Sequence, residues 1–460
     1  MYSGEIIAYS RPIMEKMLNM NFALPRDLGG GLTLRWGKAE DAEALAAFNI
    51  ALHTDDPAEP ELWLGEWTRE LMNGGHPTTN AGDFTIVENE AGEIVSSMNV
   101  IHQTWSYGGI EFGVGRPELV GTLDAYRRRG LVRSQFEAIH GLSATRGELV
   151  QAITGIPWYY RQFGYEMTLE LGGGRPFHWL HPGNTVPIDK EIYQMREATA
   201  ADVAVLSHLY DAFQAEGLVA CVRDAAQWQY EMLERHRETP YALDVQVITA
   251  EGEMVGYVEY KQWGTAFHVR ELALLPGYSL RAAALFVTRW LKERANELNE
   301  EREQPITRTV FSFGSQAPVY EALGTQLGDG RPPYAWFMRV PDIPAFLQHI
   351  SPVLEERLAK SVLAGHTGRL RLNFYKSQVQ LLFEKGRVTK IASYAPTSFD
   401  APDDGDLFFP DHTFLHVLFG HRSYEEIQYM RVDCFANNAE APVLLAVLFP
   451  KRPSWIRALG

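Results

Sequence analysis

The sequence predicts a mixed α+β protein in which two copies of one domain are followed by a smaller α+β unit. Three observations carry this reading. An internal repeat recurs at a nearly constant offset, apolar runs of strand period alternate with runs of helix period, and 460 residues are too many for one core.

The repeat comes first. Residues 35–41 (Arg-Trp-Gly-Lys-Ala-Glu-Asp), followed by Leu45 and Phe48, match residues 196–202 (Arg-Glu-Ala-Thr-Ala-Ala-Asp), followed by Leu206 and Leu209. In each copy a basic strand end leads to an aspartate and then an amphipathic helix. The aspartate's charge suits the positive end of the helix. Residues 83–87 with 92–95 match 244–248 with 252–255, and each pair reads as a hairpin with an acidic turn. Residues 160–165 (Tyr-Arg-Gln-Phe-Gly-Tyr) match 320–325 (Tyr-Glu-Ala-Leu-Gly-Thr). The predicted domains are therefore residues 1–185, 190–345 and 350–460, with a linker running from Gly172-Gly173-Gly174 to Pro187. In the last unit an alternating pattern over 370–375 and 379–383 predicts strands, with a turn at Glu384-Lys385-Gly386. Helices are predicted over 411–419 and 423–430, and a final strand over 443–449.

Lys and Arg total 42 against 58 Asp and Glu, a formal charge of -16. Such a surface repels phosphate backbones and argues against a nucleic-acid partner, while favouring cationic small molecules or basic protein segments. Two cysteines far apart, Cys221 and Cys434, fit a reducing compartment. The first residues lack a basic segment followed by an apolar one, and the apolar run over 443–449 is too short to span a bilayer. A cytoplasmic protein with no membrane association is predicted.

Val120 and Thr122 fit a strand. A polar turn follows from Asp124, then Arg127-Arg128-Arg129-Gly130, after which Leu131, Val132, Phe136, Ile139 and His140 recur at helical spacing. Three arginines thus stand where a helix begins. Cations oppose the macrodipole there, and the arrangement becomes favourable once an anion such as a pyrophosphate accepts from the arginines and the unpaired backbone amides. The second copy has no arginine cluster after residues 271–277, so the predicted anion site belongs to the first copy alone.

Val-x-Thr followed by Arg-x-x-Gly resembles the acetyl-CoA signature of the GCN5-related N-acetyltransferases (GNAT), Arg/Gln-x-x-Gly-x-Gly/Ala. Arg127 and Gly130 match it, and Val132 stands where Gly or Ala is usual. Tyr160-x-x-x-Gly164-Tyr165 resembles the family's later motif. The whole arrangement is similar to the Eis-type (enhanced intracellular survival) acetyltransferases: two tandem GNAT-like domains, the second degenerate, with central mixed sheets flanked by helices, and a C-terminal sterol-carrier-like (SCP2-like) unit. The resemblance implies acetyl-CoA as co-substrate, with no metal. It implies transfer of the acetyl group to a primary amine, on a small cationic molecule or a lysine, by direct attack in a ternary complex.

The resemblance also assigns roles. Backbone amides at Val120 and Thr122 would hold the pantetheine arm. Arg127, Arg128, Arg129, Gly130 and Val132 would form the pyrophosphate turn. Tyr160 aligns with the general acid, and the C-terminal carboxylate of Gly460 is the candidate base. Related proteins form ring-like homo-oligomers, so a homo-oligomer is implied.

Two further residues come from the sequence pattern. Glu118 shares strand parity with Val120 and Thr122 and is a candidate for amine contact or base, against a solvated surface role. Trp63, with Trp67 one helical turn on, could line a substrate cleft or belong to the core. His412 and His416, with His421 beyond, have chelating spacing but no third ligand, so no metal site is predicted. A competing reading is a non-catalytic protein that binds acyl-CoA or an apolar ligand in the sterol-carrier-like unit.

Overall fold

The computed structural model describes residues 23–179, 190–237, 239–395, 404–454 and 456–457, and its elements are mixed α and β throughout. The chain divides into two units, Met1–His102 with Gly113–Gln151, and Gln103–Phe112 with Ala152–Gly460.

In the first unit, strands β1 (Arg26–Gly29), β2 (Leu32–Trp36), β3 (Phe84–Glu88), β4 (Ile94–Tyr107), β5 (Ile110–Thr122) and β6 (Val150–Ile153) are neighbours in that order. The tip of the β4–β5 hairpin and the end of β6 are counted with the second unit. β5 and β6 pair in parallel, with Val114 opposite Val150. Parallel neighbours need a crossover, and α3 (Leu131–Thr145) supplies it. α1 (Ala42–His53) and α2 (Leu62–Met72) lie between β2 and β3 in the chain. They approach closely at Gly65, where an added Cβ would stand 2.6 Å from Ile50.

The repeat is visible in local geometry. Arg35 donates twice to Asp41, at 2.8 Å each, and Asp41 also accepts from the Lys38 amide at 2.8 Å. Arg196 does the same to Asp202, at 2.8 and 2.6 Å, and Asp202 accepts from the Thr199 amide at 2.8 Å. In both copies this clamp closes a single 3₁₀ turn and opens a helix of 12 residues, α1 and then α4 (Val203–Gln214). The arginine partner holds Asp202 down to about 2 and keeps Asp41 below the ordinary carboxylate range.

In the second unit the strands are β7 (Glu166–Leu171), β8 (Arg175–His178), β9 (Tyr193–Glu197), β10 (Val219–Cys221), β11 (Val245–Ala250), β12 (Glu253–Trp263), β13 (Ala266–Leu274), β14 (Arg308–Phe311) and β15 (Tyr334–Arg339). One sheet has the order β8-β14-β13-β12-β11-β9. β13 and β14 are parallel across α5 (Leu280–Asn299), as β5 and β6 are across α3. The predicted linker is partly structured: residues 175–178 form the edge strand β8, antiparallel to β14. Glycines and a proline suggest a joint, but an edge strand tolerates Pro176 because one side of its backbone needs no ladder partner. β7 pairs antiparallel with β15.

Toward the C-terminus, β16 (Gly368–Asn373), β17 (Gln378–Glu384), β18 (Arg387–Ser393) and β19 (Leu407–Phe408) form a sheet of order β18-β17-β16-β19. Helices Phe414–Leu418 and Tyr424–Met430 lie within the predicted segments. The predicted final strand is instead a helix, Glu440–Leu448. A short apolar run does not distinguish a strand from a buried helix. Here Ala441, Leu444, Leu445 and Leu448 are buried and Val443 is exposed, a helical spacing. Among the described residues no helix is long and apolar enough to cross a membrane.

Buried histidines fix how stability responds to pH. The Nδ1 atoms of His416 and His421 lie 3.1 Å apart, so one donates and the other accepts, and the two cannot both be protonated there. Burial pushes His416 down to about 4 and His421 to about 3, and it pushes His268 to about 4. Unfolded histidines protonate near pH 6.5, so their protons favour the unfolded chain as pH falls from about 6.5 toward 4. His102 is opposite in sign. Burial pulls it down, but its nitrogens face two carboxylates, Glu148 at 2.5 Å and Asp83 at 3.2 Å, which hold it above its ordinary value. Its contribution is present below pH 6.5 and is lost as pH rises through that raised value. Thermal denaturation against pH is therefore expected to show a maximum near neutrality, with roughly 1–2 kcal/mol lost per buried neutral histidine by pH 5. Replacing His416 and His421 together by Gln should flatten the acid limb.

Candidate functional site

β5 delivers its end to a turn that is fixed from both sides. The Leu123 amide donates to Val95 O at 3.0 Å. Leu131, the first residue of α3, is buried with Leu34, Val87 and Val95, and Leu123 and Tyr126 pack against that cluster. Ser96 ties the strand end from below: its hydroxyl lies 2.7 Å from Gly121 O and 2.7 Å from Thr122 Oγ1, and Gln135 donates to it at 2.8 Å. The Thr122 hydroxyl is thus committed to Ser96. Gly121 leaves room for α1, because a Cβ there would meet a methyl of Leu52 and that side chain would have to move.

Between these anchors the turn is exposed. Asp124–Tyr126 forms one 3₁₀ turn, Arg128 has φ +64° and Gly130 has φ +79°. A positive φ is the glycine conformation, and it brings the chain from the turn into α3. Among the described residues no side chain caps α3. Among the described residues, no backbone carbonyl outside the helix accepts from the amides of residues 128–131. Arg127 pairs with Asp124 at 2.8 Å and donates to Thr122 O at 3.3 Å. Both partners of that ion pair are more than half exposed, so the pair is weak and exchangeable. Arg129 lies over the Tyr126 ring at 4.9 Å and donates to Ala125 O at 3.2 Å. Arg128 is exposed, and no described acid pairs with it. The turn thus brings together helix-start amides, a glycine without a Cβ and three arginines, a donor set whose chemistry suits an anion.

Glu118 is not a solvated surface residue. It accepts from Arg116 at 2.6 Å, and Arg116 is fully buried. Leu119 has φ +51°, a local break in the strand between Glu118 and Val120. The parity argument assumed an unbroken period of two, which a bulge interrupts. Trp63 is half-buried, stacks on Trp67 at 6.2 Å and donates from its indole to Glu61. Trp67 is core.

Tyr160 belongs to the second unit. It sits in a 3₁₀ helix, Tyr159–Phe163, entered through Trp158 at φ +70° and left through Gly164 at φ +88°. Its ring is buried against Tyr159 (5.2 Å), Phe337 (5.3 Å) and Tyr165 (6.4 Å). Gly155, at φ +135°, lies under it: a Cβ there would stand 2.9 Å from the Tyr160 hydroxyl. Tyr320, its counterpart in the repeat, differs. The Tyr320 hydroxyl accepts from the Phe313 amide (3.1 Å) and lies 2.9 Å from Phe311 O and 3.1 Å from Gly314 O, and burial raises it to about 12. Tyr320 is a structural tie between loop and helix.

Gly460 lies outside the described residues, but the segment leading to it does not run free. Ser454 and Ile456 are buried, and Ile456 O accepts from the Trp336 indole at 3.3 Å. Sequence reasoning reads this basic, aromatic segment equally as a surface tail or as part of the site. It also missed Ser96, Gln135 and Gly155, which act through long-range register and leave no local signal. Among the described residues no group of three or more His, Cys, Asp or Glu is placed to hold a metal.

Residues 37–168 match the family model described as an acetyltransferase (GNAT) domain. No curated protein matches the chain in sequence. Among solved structures, a conserved protein from Enterococcus faecalis is similar at TM-score 0.68 and 14% identity, over 93% of this chain and 99% of that one. A GCN5-related N-acetyltransferase from Anabaena variabilis gives TM-score 0.64 and 14% identity, over 92% and 99%. Eis1 from Mycobacterium abscessus gives 0.59 and 15% identity, over 92% and 98%. At such identities these structures show a shared fold.

Proposed function

We propose that the chain is an acetyl-CoA-dependent N-acetyltransferase that acts on a primary amine by direct transfer. The observation that carries this reading is the turn at residues 127–131, where arginines, left-handed glycine and open amides meet at a helix start inside the stretch that matches the acetyltransferase model. A doubly charged pyrophosphate fits that donor set: Arg127, Arg128, Arg129 and the amides from Gly130 to Val132 would hold it, and backbone groups at Val120 and Thr122 would hold the pantetheine arm. Bound there, acetyl-CoA supplies the thioester as acyl donor.

Acyl transfer to an amine breaks the C–S bond, forms the C–N bond, leaves a thiolate that needs a proton and produces an ammonium that must lose one. Tyr160 is the proton donor in this reading. A phenol at about 10 and a thiol at about 8.5 are close enough for transfer along a hydrogen bond. The base is the terminal carboxylate of Gly460, acting on the amine through water. Glu118, already paired with Arg116, and half-buried Trp63 are the remaining candidates for amine contact. The acceptor is a small cationic amine or a lysine, in keeping with a formal charge of -16. The tandem organisation over 1–185, 190–345 and 350–460, with a sterol-carrier-like last unit and assembly as a homo-oligomer in the cytoplasm, belongs to the same reading. The duplicated aspartate clamps support its tandem part.

The test is release of free thiol from acetyl-CoA, measured against a panel of polyamines, aminoglycosides and lysine peptides. Amine-dependent release with a matching acetylated product supports the reading. Saturable acetyl-CoA binding without release in any arm overturns it.

A further inference from the structure

Far in sequence from the arginine turn, the second unit holds a cavity of about 440 Å³. Small-molecule sites span roughly 300–1,000 Å³, so the size is that of a ligand pocket. It is lined where β9 ends and β11 begins, by Tyr260 of β12 and by one face of α5. Glu197 and Gln246 are register partners there, and the Ala198 amide donates to Val245 O at 3.2 Å. On α5 the lining residues are Trp290, Glu293, Arg294 and Glu297, a stripe at i, i+3, i+4 and i+7. Leu291 and Ala295, off that stripe, belong to the buried core. The helix gives one face to the core and this second face to the cavity.

The walls differ in chemistry. Met232, Leu243 and Val245 line the cavity from a single buried apolar cluster. Tyr260 and Trp290 form an aromatic corner, their rings 5.7 Å apart and inclined at 77°. Four acids, Glu197, Asp244, Glu293 and Glu297, line it together with Arg237 and Arg294. Asp244 pairs with Lys261 at 2.9 Å and with Arg237 at 3.6 Å, and Glu297 pairs with Arg294 at 3.0 Å. Arg237 also donates to Leu243 O at 2.9 Å. Glu197 and Glu293 are exposed, and among the described residues neither forms an ion pair; Glu293 accepts a long bond from Asn296, at 3.5 Å. Even with Lys261 counted, the acids outnumber the cations by one. Burial pushes Tyr260 up to about 12, and the charges of Asp244, Glu259 and Glu197 push the same way against Arg294.

We propose that this cavity binds an organic ammonium ion of single charge with an aliphatic body. Its head would stand at the Tyr260–Trp290 corner beside Glu197 and Glu293, and its body on Met232, Leu243 and Val245. The faces of the two rings attract a cation, and a weakly hydrated ammonium head sheds its water more readily than a compact ion. A bare inorganic cation would gain nothing from the apolar wall, and among the described residues no group of three or more His, Cys, Asp or Glu is placed to hold a metal. An anion would meet the excess of carboxylates. The site goes beyond the acetyltransferase reading and does not depend on it, because none of its residues belongs to the arginine turn or to the surroundings of Tyr160.

The probe is hexyltrimethylammonium, which carries no N–H to acetylate, titrated calorimetrically into the full chain at neutral pH and low salt. Wild type should bind it saturably with Kd of about 1 mM or tighter. 1-Hexanol, the uncharged body alone, should bind at least about tenfold more weakly. The double variant Glu197→Gln and Glu293→Gln should fold, since both side chains are exposed and form no ion pair among the described residues, and it should lose about five- to tenfold in affinity. Trp290→Leu keeps an apolar side chain on α5 and should lose about three- to tenfold. The double variant decides the matter even where Trp290→Leu lowers stability. Binding by wild type that does not saturate by about 10 mM overturns the proposal. So does equal affinity in wild type and the double variant, and hexanol binding as tightly as the ammonium ion reduces the site to an apolar cavity and overturns it too. A chain that turns over no amine but binds the probe in the expected pattern overturns the acetyltransferase reading and leaves this site standing.

Discussion

Replacing Tyr160 with phenylalanine is expected to lower kcat by about 10²-fold or more at neutral pH, with acetyl-CoA affinity changed less than about threefold. The ring keeps its contacts with Tyr159, Phe337 and Tyr165, and Gly155 leaves room beneath it, so the variant should fold as the wild type does. In the proposed reading this change removes the proton donor and keeps the ring. A leaving thiolate without a proton returns to the acyl carbon, and the loss therefore falls on kcat. Tyr320→Phe is the matched control. Its hydroxyl meets three backbone groups, so that change should cost about 1–3 kcal/mol of stability and leave the chemical step alone. Single-turnover kinetics with calorimetric binding separate the two effects. An unchanged kcat in Tyr160→Phe would remove that residue as the acid.

The parts of this architecture that were legible are those whose cause is local. An arginine six residues before an aspartate makes a clamp that any chain with that spacing can close, so both copies announce their first helix at Asp41 and Asp202. Gly130 before a helical period predicts a strand-to-helix turn, and α3 begins directly after it, entered through φ +79°. What was not legible depends on register set from afar. Leu119 carries no mark of its positive φ, because the break belongs to the sheet and not to leucine. Pro176 looks like linker until β14 pairs beside it. Residues 443–449 have the composition of a strand and the burial of a helix, and only their surroundings decide. Arg457 lies in a basic, aromatic tail that reads equally as surface or as part of the site. Its acids, Glu259 and Glu271, are about two hundred residues earlier in sequence, beyond any periodicity.

The second large effect is expected at the turn. Changing Arg127 and Arg128 together to alanine should weaken acetyl-CoA binding by about 10²-fold, with kcat at saturation within a few-fold of wild type. Hydrogen bonds from a guanidinium to phosphate contribute roughly 1.5–3 kcal/mol each, and a pyrophosphate stays bound in both ground and transition states, so its loss is felt in KM. The variant should be no less stable than wild type without ligand. Arg127 gives up an exposed pair with Asp124 and a long hydrogen bond to Thr122 O, and removing cations from the start of α3 relieves their opposition to its dipole. Affinity and stability should thus move apart: weaker binding together with an unchanged or raised denaturation midpoint in the unliganded protein. Desulfo-coenzyme A provides an inert ligand for calorimetry, and the affinity of wild type should fall with salt more steeply than that of the variant, since fewer charges meet the phosphates in the latter. Equal affinity and equal salt dependence in the two proteins would mean that the arginines do not hold the diphosphate, and the assignment of this turn would fall with them.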